Sequence, residues 1–167
     1  MNTLSIKVAS IEDIPAIVKI AYDTWFVTYQ DVISQAQIEY MFGEMYTPES
    51  IYKQMDFYKH AFLILYQAEM PIGFASYGKL VEPTDTYKLH KLYLLPSQQN
   101  KGFGRMLLNE VEKQVAGLGA DHLQLNVNRK NPALSFYEKL GYEIIEIVDI
   151  PFAEFWLNDF ILSKKIA

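Results

Sequence analysis

The chain reads as a mixed α/β sheet with helices on its faces, in the order βααα-ββ-β-α-β-α-ββ. Short apolar runs of period two alternate with longer stretches at helical spacing. Glycine, proline and Asn/Asp clusters fall between these segments, where turns are needed. No internal repeat, low-complexity tract or linker interrupts the pattern, so residues 1–167 are expected to form a single domain.

Residues 4–9 alternate Leu4, Ile6 and Val8 with Ser5, Lys7 and Ala9, a half-buried strand. Ser10 with Asp13 three residues on resembles a capping box. It opens a helix on which Ile14, Ile17, Val18, Ala21, Trp25 and Tyr29 recur at helical spacing. Residues 35–42 and 48–58 follow as two short helices, the second with Pro48 in its first turn. Residues 61–66 and 72–81 form a hairpin around a turn at 67–71, and Gly73 and Gly78 suggest bulges or close backbone approach. A loop at 82–85 leads into strand 86–95. Helix 104–118 carries Leu107, Leu108, Val111, Val115 and Leu118 on one face and ends at Gly117 and Gly119. Strand 122–127 alternates Leu123, Leu125 and Val127 with His122, Gln124 and Asn126. Asn131-Pro132 opens a helix to Leu140, closed by Gly141. Strands 142–150 and 155–164 complete the chain, joined through residues 151–154.

Half of the residues are hydrophobic and 14% aromatic, which excludes a disordered or fibrous protein. No apolar run approaches the roughly 20 residues of a membrane span. The opening MNTLSIKVASIEDI lacks the charged-then-apolar pattern of a secretory signal. No membrane partner is therefore expected, and the cytoplasm is the default location. Without cysteine there are no disulfides, thiolate catalysis or cysteine-held metal. His60, His90 and His122 show no ligand spacing, so no metal is expected. The formal charge of −5 disfavours a nucleic-acid partner and is compatible with a cationic substrate.

The stretch that organises the chain is KLYLLPSQQNKGFGRMLL, residues 91–108. An apolar strand stops at Pro96, and Gln99-Asn100-Lys101-Gly102-Phe103-Gly104-Arg105 runs directly into a helix. Unpaired N–H groups and the positive dipole end make such a start an anion site, suited to phosphate or pyrophosphate. Lys101 and Arg105 add charge, and Phe103 is expected to pack under the turn. Taken alone, Gly-x-Gly before a helix is also an ordinary strand-to-helix turn. It is not a P-loop, which would end in Gly-Lys-Ser/Thr, nor G-x-G-x-x-G, because Leu107 occupies the third glycine position.

Gln99 to Gly104 resembles the pyrophosphate-binding turn Q/R-x-x-G-x-G/A of the GNAT superfamily of acetyl-CoA-dependent N-acetyltransferases. A second motif supports the resemblance. Residues 123–142, LQLNVNRKNPALSFYEKLGY, are similar to the family's N-x-x-A-x-x-F/L-Y-x-x-x-G-F/Y through Asn131, Leu134, Phe136, Tyr137, Gly141 and Tyr142. Ala133 stands one place ahead of the pattern's alanine. The two motifs come in the family's order, with one helix and one strand between them. The resemblance implies the acyl-CoA N-acyltransferase fold: a mixed, mostly antiparallel sheet with splayed central strands and helices on both faces.

It also implies roles. Leu92 and Leu94, with Tyr93 between them, would offer backbone groups to the pantetheine arm and carbonyl oxygen in the gap between the splayed strands. The pyrophosphate would rest on Gln99, Asn100, Lys101, Gly102, Phe103, Gly104 and Arg105. Asn131 would bond pantetheine, although helix capping explains it equally. Tyr137 would protonate the departing thiolate, although a core aromatic is the alternative. Some members carry a glutamate base fourteen residues before the first glycine; here that position is Lys88, which cannot serve as that carboxylate. His90, two residues on and on the same strand face, is the candidate base, with a structural histidine or a water as the alternatives. The acceptor would lie near Trp25, Tyr29, Glu82, Asp85, Phe152 and Glu154.

The T-W-x-x-T-Y, L-H-K-L-Y and P-F-x-x-F-W-L-N-D segments look most like the bacterial spermidine/spermine N-acetyltransferase group. The expected activity is direct acetyl transfer from acetyl-CoA to a small-molecule primary amine, such as a polyamine. A protein N-terminal or lysine acetyltransferase and a non-catalytic CoA-binding sensor are the alternatives, and a homodimer is left open.

Overall fold

A computed structural model describes residues 3–81 and 85–166. The strands are β1 (Leu4–Val8), β2 (Ala61–Gln67), β3 (Met70–Lys79), β4 (Thr86–Leu94), β5 (His122–Asn128), β6 (Glu143–Phe152) and β7 (Phe155–Lys165). The α-helices are α1 (Ile14–Tyr29), α2 (Gln35–Met45), α3 (Pro48–Asp56), α4 (Phe103–Gly117) and α5 (Ala133–Lys139). The fold is the α/β class expected, built on a mostly antiparallel sheet. The chain divides into two compact units: Met1–Gly78 with Leu89–Val111, and Lys79–Lys88 with Glu112–Ala167.

In the first unit the strand order is β1-β2-β3-β4. β1 pairs antiparallel with β2, and β2 with β3. Phe62-Leu63-Ile64-Leu65 is at most 1% exposed, so β2 is covered on both faces and reads as an unbroken apolar run. Each such side chain contributes about 1.5–3 kcal/mol by leaving water. Asp13 accepts the Ser10 N–H at 2.8 Å, and a 3-10 turn over Ile11–Asp13 leads into α1. Ser34 and Thr47 cap α2 and α3 by accepting the N–H groups of Gln37 and Ser50. α1 packs on both of these helices, burying Ile17, Ile20, Ala21 and Trp25.

In the second unit β7 pairs antiparallel with both β5 and β6, leaving β6 at the edge. Leu123, Leu125 and Val127 are buried on one face of β5, as their alternation requires. Among the described residues no helix is long and apolar enough to cross a membrane, and no cluster of three or more acidic or histidine side chains could hold a metal.

The last hairpin differs from its sequence reading. Pro151 and Phe152 belong to β6 and pair with Trp156 and Phe155, leaving only Ala153 and Glu154 as the turn. A proline is tolerated there because β6 is an edge strand, where a missing N–H need not break the ladder. Pro71 likewise lies inside β3, beside a register shift at Leu65/Tyr66.

Candidate active site

The glycine turn belongs to the first unit. After β4, Pro96–Gln98 form one 3-10 turn, and Gln99 Nε2 donates to the Leu94 carbonyl at 3.2 Å, tying the loop back to the strand end. Asn100 (φ 62°) and Gly102 (φ 82°) adopt left-handed backbone, the conformation that asparagine and glycine best tolerate. A Cβ at Gly102 would meet nothing within 4 Å, so the backbone angle, not crowding, requires the glycine. The first helical bond of α4 runs from the Met106 N–H to the Gly102 carbonyl at 3.2 Å. The N–H groups of Phe103, Gly104 and Arg105 therefore lie ahead of the ladder. Left-handed turn residues feeding open helix N–H groups form a cradle for anionic oxygens. Lys101 and Arg105 are exposed beside it, while Phe103 is half-buried. These residues fit a pyrophosphate.

β4 itself is held by close backbone approach. A Cβ at Gly73 would stand 2.5 Å from Leu94 Cδ2 and 2.8 Å from the Tyr93 carbonyl oxygen, so only glycine permits β3 to lie there. Leu95 N–H donates to the Ile72 carbonyl at 2.9 Å. Leu92, Tyr93 and Leu94 are half-buried.

Tyr93 joins an aromatic cluster that includes Trp25 and Tyr29. Trp25 is 3% exposed, donates to the Ile38 carbonyl at 2.9 Å, and lies 4.3 Å from the Tyr29 ring. It is a core residue that backs Tyr29. The Tyr29 and Tyr93 hydroxyls are 3.2 Å apart, and Tyr93 also hydrogen-bonds Tyr46. Burial pushes the Tyr46 phenol well above its usual value. Burial, reinforced by Tyr29 and Tyr46, does the same to Tyr93, so these hydroxyls stay neutral. His90 stacks on His60 with ring centroids 3.9 Å apart, in space opened by Gly78, where a Cβ would come 2.9 Å from the His60 ring. An apolar groove of about 440 Å³ lined by Pro15, Val18, Lys19, Tyr22, Phe42 and Pro48 shares no residue with the predicted site.

In the second unit, Asn131 Oδ1 accepts the Ala133 N–H at 2.9 Å and opens α5, the capping role read from the sequence. Tyr137 is 9% exposed, with Phe136 edge-on at 5.1 Å and Tyr142 at 5.9 Å. Gly141 (φ 94°) closes the helix. Asp85 stands at the opening of β4, seven residues before Leu92, with its exposed carboxylate 3.7 Å from Lys79 Nζ. Phe152 is half-buried at the end of β6, and Glu154 is exposed in the hairpin turn. Glu82 lies outside the described residues.

Within the first unit, the structure therefore joins the turn residues to the end of β4, and Tyr29 to Tyr93. Asp85 pairs with Lys79, and Phe152 and Glu154 sit on the hairpin between β6 and β7. Sequence reading missed Asp159, 8% exposed on β7 with its Oδ2 3.3 Å from Asn126 Nδ2. The signal was a charged residue inside the strand pattern Leu157, Asp159, Ile161.

The model of the acetyltransferase (GNAT) family matches residues 16–142, and the chain belongs to that family. It is an acetyl-CoA-dependent N-acetyltransferase. A spermidine N(1)-acetyltransferase of Thermoplasma acidophilum is 28% identical over 98% of both chains. The crystal structure of the PaiA N-acetyltransferase from Thermoplasma acidophilum in complex with coenzyme A superimposes with a TM-score of 0.83. It is 29% identical and covers 98% of this chain and 99% of that one. The ribosomal-protein-S18-alanine N-acetyltransferase from Escherichia coli, 19% identical, shares the fold at a TM-score of 0.75 over 99% of this chain and 95% of its own.

Proposed function

We propose that the protein acetylates a primary amine of a polyamine such as spermidine or spermine. The observation that carries this reading is the likeness to the spermidine acetyltransferase over 98% of both chains. The aromatic face of Tyr29, backed by Trp25, is a chemically suitable wall for an alkyl ammonium, at roughly 0.5–2 kcal/mol per contact.

In this mechanism the cradle at residues 99–105 takes the CoA pyrophosphate, and backbone groups of Leu92 and Leu94 polarise the thioester carbonyl. The neutral amine attacks the carbonyl carbon: the C–N bond forms, the C–S bond breaks, and the proton lost by the amine passes to water. Tyr137 gives a proton to the departing thiolate. Asn131 bonds pantetheine in addition to capping α5. Phe152, Glu154, Asp85 and Glu82 contribute aromatic surface and negative charge on the acceptor side. Transfer is direct, and no group in the mechanism forms a covalent acetyl-enzyme.

Thiol release from acetyl-CoA, measured across polyamines, amino acids, aminoglycosides and N-terminal peptides, tests the reading. Spermidine or spermine should give the highest kcat/KM. Turnover confined to peptides would replace the polyamine by a protein acceptor. CoA binding without turnover of any amine would make the chain a sensor.

A further inference from the structure

Inside the first unit, three phenols form a chain. The Tyr29 and Tyr93 hydroxyls are 3.2 Å apart, and Tyr93 in turn hydrogen-bonds Tyr46. Their rings lie in one aromatic cluster. The Trp25 ring centroid is 4.3 Å from that of Tyr29, 5.2 Å from Tyr46 and 6.3 Å from Tyr93, and Phe74 is 5.8 Å from Tyr93. Tyr46 is 1% exposed, whereas Tyr29, the last residue of α1, is half-buried. The chain therefore runs from the core out to Tyr29.

Packing asks for these rings and not for their hydroxyls. Phenylalanines would fill nearly the same space without taking three polar groups out of water. What the hydroxyls add is a direction. Tyr93 has one proton and two phenol partners, so it donates to one and accepts from the other. When Tyr29 donates inward to Tyr93, and Tyr93 to Tyr46, the lone pairs of the Tyr29 oxygen face a donor from outside the chain. Each bond in such a series polarises the next, which makes that oxygen a stronger acceptor. The place suits a cation. α1 ends at Tyr29 with the negative end of its dipole, and its last turn holds no basic residue. Tyr93 is also the residue between Leu92 and Leu94, so the hydroxyl that fixes Tyr29 belongs to the strand end assigned to the thioester.

We propose that the Tyr29 hydroxyl accepts a hydrogen bond from an ammonium of the acceptor that does not react, and that Tyr93 is the residue that positions it. The attacking nitrogen must be neutral, and an acceptor oxygen at a negative helix end favours the protonated form instead. Tyr29 is therefore suited to a second nitrogen of the same substrate. Its bond to Tyr93 sets that nitrogen at a fixed reach from the end of β4. The pair selects amines that carry a second cationic nitrogen over monoamines. The inference rests on the polyamine reading and deepens it, because it adds the hydroxyl bond and the tyrosine behind it to the aromatic wall.

Thiol release from acetyl-CoA with spermidine and with butylamine, which has a single nitrogen, tests the assignment in Tyr93→Phe. The ring stays and only the bond to Tyr29 is lost. The KM for spermidine should rise about tenfold, the scale of one hydrogen bond to a charged group. The kcat at saturating spermidine, the KM for acetyl-CoA and the kcat/KM for butylamine should stay unchanged. Tyr29→Phe should raise the spermidine KM at least as much, and adding Tyr93→Phe to it should do nothing further, since Tyr93 acts through Tyr29. A purely structural Tyr93 would instead lower kcat/KM for both amines together. An unchanged spermidine KM in folded Tyr93→Phe, an equal loss with butylamine, or additive effects in the double variant would overturn the proposal and leave the polyamine reading standing. Turnover of alanine-ended peptides and not of spermidine by the wild-type protein would overturn both.

Discussion

Two lysines three residues apart on β4 meet opposite fates. Lys91, on the face shared with Leu89 and Tyr93, is 8% exposed and donates to Gln54 Oε1 at 2.6 Å. The Gln54 amide nitrogen is itself tied to the Met45 carbonyl at 2.8 Å and Ser50 Oγ at 3.1 Å. The Lys91 ammonium lies 5.5 Å from the Tyr46 ring centroid and 5.9 Å from that of Phe62. Its ammonium thus meets the Gln54 amide oxygen and lies near two aromatic faces. Among the described residues, Lys88 on the other face has the electrostatic company of Asp159, an ionisable carboxyl. Burial alone does not separate the two lysines. The partners do.

The largest expected effect lies at Lys91. Lys91→Ala removes the stem packing and leaves Gln54 Oε1 without its donor. It should cost about 3 kcal/mol of stability in urea denaturation, with kcat of the surviving folded fraction nearly unchanged. A loss of kcat without a loss of stability would make Lys91 part of the chemistry.

Tyr137→Phe tests the reverse pattern. The ring and its contacts with Phe136 and Tyr142 remain, so stability should change little. A fall in kcat of about ten- to a thousandfold at constant acetyl-CoA affinity is expected if Tyr137 is the acid. Full kcat with chemistry rate-limiting would leave Tyr137 a core aromatic.

The smallest effect is expected at Lys88 itself. Lys88→Met should shift stability at pH 7 by no more than about 1 kcal/mol. The folded lysine binds its proton less tightly than the unfolded one. Wild-type stability therefore gains as pH rises from the folded toward the unfolded lysine value, and the variant should lack that gain. Asp159 runs the other way. Its folded carboxyl binds a proton more tightly than the unfolded one. Stability is therefore full below the ordinary carboxylate value and falls as pH rises through the raised one, a fall that Asp159→Asn should abolish.

How far the sequence could show this division depends on how local each signal is. The glycine turn, the helix it feeds and the capping asparagine are written in consecutive residues, and all three stand where they were read. Both hairpin turns were drawn too long for one shared reason. The chain reverses at Ala68 (φ 56°) and Ala153 (φ 53°), alanines in left-handed backbone, while the visible punctuation, Pro71 and Pro151, lies inside the strands. Turn chemistry assigns such positions to glycine or asparagine, so the prolines drew the boundary instead. The Lys91–Gln54 contact joins residues 37 apart, and Lys88 faces an aspartate from the last strand. Neither pairing has a local pattern, and only the fold reveals which lysine is closed and which is open.

The central claim is that the cradle at residues 99–105 holds acetyl-CoA for this chemistry, and calorimetric titration of CoA into Gly104→Val tests it most directly. Gly104 lies in the first turn of α4, where a valine is compatible with helical backbone. Its side chain would add bulk beside the open N–H groups at the start of α4, where the pyrophosphate is proposed to rest. The account predicts a folded protein whose CoA affinity falls a hundredfold or more. Undiminished affinity in a folded Gly104→Val protein would contradict it.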